Sequence, residues 1–220
     1  MINVKKFLNE NSDLRYAEFN KKFITSQYPI LGVRTPALKK FAKELEPEYV
    51  NLDEPLSHEE ILLYGFAASN IKSEDEQLEY LENILPYIDN WGTCDAIVCS
   101  MKKLTGEKSY SFFSNLLQSD KEFDIRVGVV GLMRYFIKTD KIEEVLQSLK
   151  NIKSEKYYVK MAIAWFLAEL ATINFSLAKN VIASIEDKFI KTKAISKSHD
   201  SYRLTPNQKA ELSKIKTTHS

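Results

Sequence analysis

Three stretches of the chain carry residues that could do chemistry: NWGTCDAIVCSM, FDIRVGVVGLMRYFI and YYVKMAIAWFLAE. In the first, Trp91 and Asp95 stand four apart, which puts a ring and a carboxylate on one helical face. In the second, Arg126 opens a strongly apolar run. In the third, Tyr158, Met161 and Trp165 fall on one helical stripe, with Tyr157 beside it and Lys160 on a flank. Taken singly, a Trp or Tyr in a helix is ordinarily core, and an Arg or Asp near a helix start is ordinarily a surface charge or cap. Their spacing sets them apart. Asp95 to Arg126 is 31 residues and Arg126 to Trp165 is 39. Each is about one helical repeat, and positions one repeat apart line up on one surface. An Asp with two Trp, two Tyr and an Arg would make an aromatic cleft holding one carboxylate. Aromatic faces pack against sugars and bases, and cations neutralise phosphates. A single carboxylate can stabilise an oxocarbenium-like sugar cation, or position a water to attack it. Together these suit cleavage of an N-glycosidic bond in a nucleic acid.

Other chemistries lack their residues. His58, His199 and His219 are scattered, and Cys94 and Cys99 do not have zinc spacing. At i,i+5 within one helix the two cysteines point in different directions, which argues against a mutual disulfide. Neither a phosphate loop nor a dinucleotide fingerprint is present. The expectation is a site that uses no metal and no cofactor.

The elements that must position these residues read as helices throughout. Only 6 Gly and 6 Pro occur in 220 residues, too few for a turn-rich sheet protein. Leu14, Ala17, Phe19 and Phe23 suggest a helix ending near Ile24, followed by a loop over residues 25–34. Thr35-Pro36 reads as an N-cap and N1 proline of a helix through Leu45. Ser57 with Glu60, and Ser73 with Glu76, are capping-box patterns. Further helices are expected at about 91–104, 107–118, 121–137, 141–151, 155–173, 176–186, 188–199 and 205–216, eleven or so in all. Two helices and two loops take roughly 32 to 40 residues, the period of helical repeats. Each pair cannot bury its own apolar face and needs its neighbours. The expected fold is all-α: a curved α-solenoid of helical repeats, one domain over 1–220. An antiparallel bundle is the alternative, but so many helices do not suit a simple one.

Charge is uneven. Residues 1–149 hold 18 Lys/Arg against 24 Asp/Glu, and residues 150–220 hold 13 against 6. A basic third on an acidic chain points to a polyanionic partner, or to a solvated lysine face. The apolar runs are interrupted by charge, so no membrane span is expected, and the N-terminus has no signal-peptide core. A cytoplasmic location is expected.

These segments carry a family resemblance. GVRTPALKKFAK, NWGTCDAI, DIRVGVVGLMRYFI, YYVKMAIAWFLAE and TKAISKSHDSYRL, in this order over roughly 15 to 205, resemble the DNA alkylation repair glycosylases of the HEAT-like-repeat type, the AlkD-like family. The resemblance implies excision of cationic N3- or N7-alkylated purines such as 3-methyladenine and 7-methylguanine from double-stranded DNA, without metal or cofactor and without flipping the base into a pocket. It implies Asp95 as the catalytic carboxylate and Trp91 and Trp165 as the rings flanking the lesion sugar. Arg126 resembles the arginine holding the nearby backbone. Tyr157 and Tyr158 stand where the family has aromatic residues facing DNA, and Lys160 occupies a basic position beside the duplex. Lys193 and Lys197 are further candidates for DNA contact, with Lys188, Lys191 and Arg203 unassigned. A monomer, associated with the nucleoid when bound, is expected. The chain departs from the pattern at Gly92, where the family commonly has an acidic residue. A glycine there weakens the helix by up to about 1 kcal/mol relative to alanine, or leaves room for the DNA backbone. Segment 24–34 matches the family least. The same scaffold would serve a non-catalytic DNA-binding paralogue or a protein-binding repeat, and both stay open on the sequence.

Overall fold

The computed structural model describes residues 3–53 and 56–217 of the chain; His219 lies outside them. Among the described residues there are thirteen α-helices, three short 3-10 turns and no strand, so the class is all-α, as the sequence predicts. Helices α1 (Val4–Asn11), α2 (Leu14–Asn20) and α3 (Thr35–Phe41) precede five pairs: α4 (His58–Ala68) with α5 (Glu74–Ile84), α6 (Trp91–Ser100) with α7 (Glu107–Leu116), α8 (Glu122–Phe136) with α9 (Ile142–Lys150), α10 (Tyr157–Ile173) with α11 (Phe175–Ser184), and α12 (Lys188–Asp200) with α13 (Pro206–Thr217). Successive pairs begin at His58, Trp91, Glu122, Tyr157 and Lys188, 31 to 35 residues apart. That is the repeat period of an α-solenoid. None of the described helices is long and apolar enough to cross a membrane. The chain divides into two compact units, Met1–Phe112 and Phe113–Ser220.

In the first unit α4 is the central helix. Its sequence HEEILLYGFAA is apolar on all sides beyond the first turn, and every one of its residues is buried. The Ser57–Glu60 capping box forms in full, satisfying donors at a helix end that water cannot reach. Helices α3, α5 and α6 pack around α4. The approach of α6 is close: a Cβ on Gly65 would lie 2.6 Å from Ile97 Cγ1. Gly32 turns the chain back onto α2 with φ +83°. A Cβ there would meet the Asp13 carbonyl oxygen at 2.1 Å.

In the second unit α10 is central, with α8 and α12 alongside it and α11 packed behind. Phe113 is fully buried and lies against α8 where Gly131 leaves it space; a Cβ there would sit 2.3 Å from the ring. Polar links repeat at the helical period. Arg126 reaches Tyr158 across 32 residues, Lys179 reaches Glu211 across 32, and Arg203 reaches Glu169 across 34. Each pair is thus tied to the next, as stacked repeats require.

Several boundaries differ from expectation. Helix α1 was not anticipated: Asn3 caps it, and Val4, Phe7 and Leu8 turn inward, with Phe7 stacked on Phe41 at 3.9 Å. The helix expected to reach Ile24 ends at Asn20. The next begins at Thr35 itself, with Arg34 as N-cap, and gives way after Phe41 to a 3-10 turn over Ala42–Glu44. Helix α6 stops at Ser100, not near 104.

Candidate functional site

The candidates of the first unit are built on α6. Asn90 caps the helix, its Oδ1 accepting from the Thr93 N–H at 3.0 Å. Thr93, Cys94, Ile97 and Val98 turn inward. The opposite face, carrying Trp91, Asp95 and Cys99 at successive turns, is left partly open. Trp91 is 36% exposed, and Asp95 one turn later is half-buried. The ring and carboxylate that the sequence put on one face are therefore on one face, and solvent reaches it.

Trp91 is held from outside its own helix. Its Nε1–H donates to the Phe23 carbonyl at 2.9 Å. Phe23 begins a strap, residues 23–33, that runs over the start of α6 and is fastened at both ends. At one end the Asp89 carboxylate accepts from Ser26 Oγ at 2.9 and 3.0 Å and from the Gln27 N–H at 2.6 Å. At the other, Glu59 accepts from the N–H groups of Leu31, Gly32 and Val33 at 2.9, 2.7 and 3.3 Å. Glu59 is only 1% exposed, and three backbone donors are what permit a carboxylate to be buried so deeply. Ile24 of the strap settles over Gly92, where a Cβ would lie 2.9 Å from Ile24 Cδ1. Part of the space that Gly92 leaves is thus taken by the chain itself. Behind the strap, His58 is buried within 3.5 Å of Asn90 Nδ2. Burial pushes its imidazole below the ordinary histidine value, while Glu59 and Asp89 pull the other way.

The remaining candidates lie in the second unit, on α8, α10 and α12. Arg126 is 5% exposed, and its Nη1 donates to the Tyr158 carbonyl at 2.8 Å. Glu122, one turn before it, accepts from the Tyr158 N–H at 2.7 Å. The first turn of α10, which has no side-chain cap of its own, is thus gripped from α8 by both partners of the Tyr158 backbone. Along α10, Tyr158, Met161 and Trp165 form a half-buried stripe, as their spacing predicts, and Glu169 continues it. An aromatic row crosses the helix starts: Phe123 to Tyr158 at 5.4 Å, Tyr158 to Tyr157 at 5.1 Å, Tyr157 to Phe189 at 5.7 Å. Tyr157 is its most open member, 53% exposed.

Lys160 does not project into solvent. Its side chain is 13% exposed, and its Nζ pairs with Glu155 and, at 2.9 Å, with Asp187, the N-cap of α12. Hydrogen bonds to Glu155 and Asp187 hold its ammonium above the ordinary lysine value. Lys193 sits over the Phe189 ring at 5.7 Å, and Lys197 follows one turn later on the same face of α12. Sequence reasoning missed Asp89, Glu59, Glu122 and Phe189. Only Asn90 carried a local signal, as an N-cap residue directly before a helix.

These residues all fall within a family match. The chain matches the family described as DNA alkylation repair enzyme over residues 4–197. Comparison with curated proteins finds no match. A match over that span covers most of the chain, and the chain belongs to the DNA alkylation repair enzyme family.

Proposed function

We propose that the chain is a monofunctional DNA glycosylase that binds duplex DNA and excises cationic alkylated purines, 3-methyladenine and 7-methylguanine, by hydrolysing the N-glycosidic bond. The observation that carries this reading is the open face of α6, where Asp95 follows Trp91 by one turn and the indole is fixed through its N–H to Phe23. An N-alkylated purine already bears positive charge. Breaking the C1′–N9 bond (N9 being the purine's own link to the sugar) sends its electron pair into the purine and cancels that charge, so no general acid is needed. The positive charge then develops on the sugar, where the Asp95 carboxylate favours it more in the transition state than in the ground state. Water adds to C1′ and gives up one proton, leaving an abasic sugar and a neutral base. Trp91 offers its ring face to the lesion sugar. Trp165, Tyr157 and Tyr158 supply aromatic contacts from α10, and Lys193 and Lys197 meet phosphates. Arg126, expected to hold the DNA backbone near the lesion, is 5% exposed and bonded to the Tyr158 carbonyl, and in this reading it acts through that grip on α10.

The test is Asp95→Asn on duplex DNA containing 7-methylguanine. Abasic-site formation is expected to be lost while duplex affinity stays within a few-fold. Unchanged excision would sink the assignment. Salt-dependent binding by the parent chain without any abasic sites would mark a binding protein, and no salt-dependent binding a protein scaffold.

A further inference from the structure

Trp91 is the first residue of α6. A ring at that position has no preceding turn of its own helix to pack against, so its orientation must be imposed by something else. The hydrogen bonds around it close into a circuit. Trp91 Nε1–H bonds the Phe23 carbonyl. Phe23 is held back on α2 by its own N–H to the Asn20 carbonyl at 2.9 Å. Three and four residues on, Ser26 Oγ and the Gln27 N–H both bond Asp89. Asp89 also accepts from Asn90 Nδ2 at 2.7 Å, and Asn90 Oδ1 caps the same helix that Trp91 begins. The circuit runs from the ring to the strap and back to the residue two before the ring, with Ile24 packed over Gly92 inside it.

We infer that Asp89 is a positioning residue for Trp91: its carboxylate pins the strap whose Phe23 carbonyl sets the indole. Three donors of the chain itself converge on this one carboxylate and occupy it, so its role is carried through Trp91 and not by touching DNA. Without it, Ser26 Oγ, the Gln27 N–H and Asn90 Nδ2 lose their shared acceptor, residues 24–27 loosen, and the carbonyl holding the ring moves with them. The consequence for rate rests on the proposed role of Trp91 at the lesion sugar. The consequence for the ring's mobility does not.

The two consequences are read separately. The chain has two tryptophans, so in a Trp165→Phe background Trp91 alone reports by fluorescence anisotropy and acrylamide quenching. Asp89→Ala in that background is expected to lower the anisotropy and raise quenching, with Ser26→Ala moving both by less. With both tryptophans present, Asp89→Ala is expected to slow single-turnover excision of 7-methylguanine by on the order of tenfold to a hundredfold, the scale of a displaced positioning group, with undamaged-duplex affinity unchanged. Asp89→Asn keeps one acceptor oxygen and is expected to fall between. Unchanged Trp91 mobility in a folded Asp89→Ala chain overturns the inference, whatever the activity. A mobile Trp91 in a family member that excises nothing leaves the positioning role standing and removes the glycosylase reading. If Asp89→Ala does not fold, Asp89→Asn and Ser26→Ala carry the test, and an unmoved ring in both overturns it.

Discussion

Gly32 shows how much of the first unit hangs on single positions. Its φ of +83° is a left-handed conformation that costs an L-residue about 1–2 kcal/mol, and the Cβ it lacks would strike backbone, the Asp13 carbonyl at 2.1 Å and the Ala17 nitrogen at 2.7 Å. No flexible side chain stands there to yield. Gly32→Ala is expected to destabilise the fold by more than about 2 kcal/mol, the sum of conformation and displacement, read as a lowered urea midpoint. His58 makes a prediction of another kind. Its buried imidazole titrates below the ordinary 6.5, with Glu59 and Asp89 opposing the effect of burial. Between that folded value and 6.5 the unfolded chain holds a proton that the folded chain does not. Stability therefore falls as pH drops from 6.5 to the folded value and levels off below it. His58→Gln should flatten that portion of a Tm-against-pH curve and leave the curve above pH 7 parallel to the parent's. Trp91 and Asp95 were legible because a four-residue spacing is local. His58, Glu59 and Asp89 were not. In sequence they read as an ordinary helix start and a surface carboxylate, and only the strap laid across them gives them partners.

Local caps and borrowed caps divide what the elements revealed. Ser57 with Glu60 caps α4 from three residues away, and such a cap is visible in any single sequence. The first turn of α7 is satisfied instead by Glu74, which accepts from the Gly106 N–H at 2.9 Å and from Ser109 Oγ. That of α10 is satisfied by Glu122. These partners stand 32 to 36 residues away in sequence, one repeat distant, so no local pattern marks them. Helix number and type were therefore largely readable from periodicity, apart from α1, whose Val4, Phe7 and Leu8 give too few turns to separate helix from loop. The way one pair grips the next was not. Glu122→Ala is expected to cost about 1 kcal/mol, the magnitude of a lost helix cap, and Glu122→Gln less, because an acceptor oxygen remains. Parallel denaturation of both variants checks this. The Tyr158 ring should report the same event: with its N–H unheld, near-ultraviolet dichroism from the Phe123–Tyr158–Tyr157 row should weaken in Glu122→Ala and persist in Glu122→Gln.

Across the whole molecule, the charge excess after residue 149 is less available than its count suggests. Lys160 is committed to Glu155 and Asp187, Lys179 to Glu211, and Arg203 to Glu169. Lys156 donates to the Asp120 carbonyl. Helix α12 carries four lysines, Lys188, Lys191, Lys193 and Lys197, and of these Lys193 and Lys197 share a face with Phe189. Phosphate contacts release counterions, and each one steepens the fall of log K with log salt by about 0.9 on duplex DNA. Lys193→Ala and Lys197→Ala are thus each expected to reduce the slope of undamaged-duplex binding by about 0.9. Lys160→Ala should leave the slope unaltered, because its ammonium is already neutralised by two carboxylates. Its effect should appear in stability, since it removes the tie between α10 and the N-cap of α12. A titration of each variant at several salt concentrations separates these outcomes. A Lys160→Ala slope reduced as much as that of Lys193→Ala would mean that the pair with Asp187 opens to admit a phosphate, and that α10 as well as α12 presents cations of this fold to DNA.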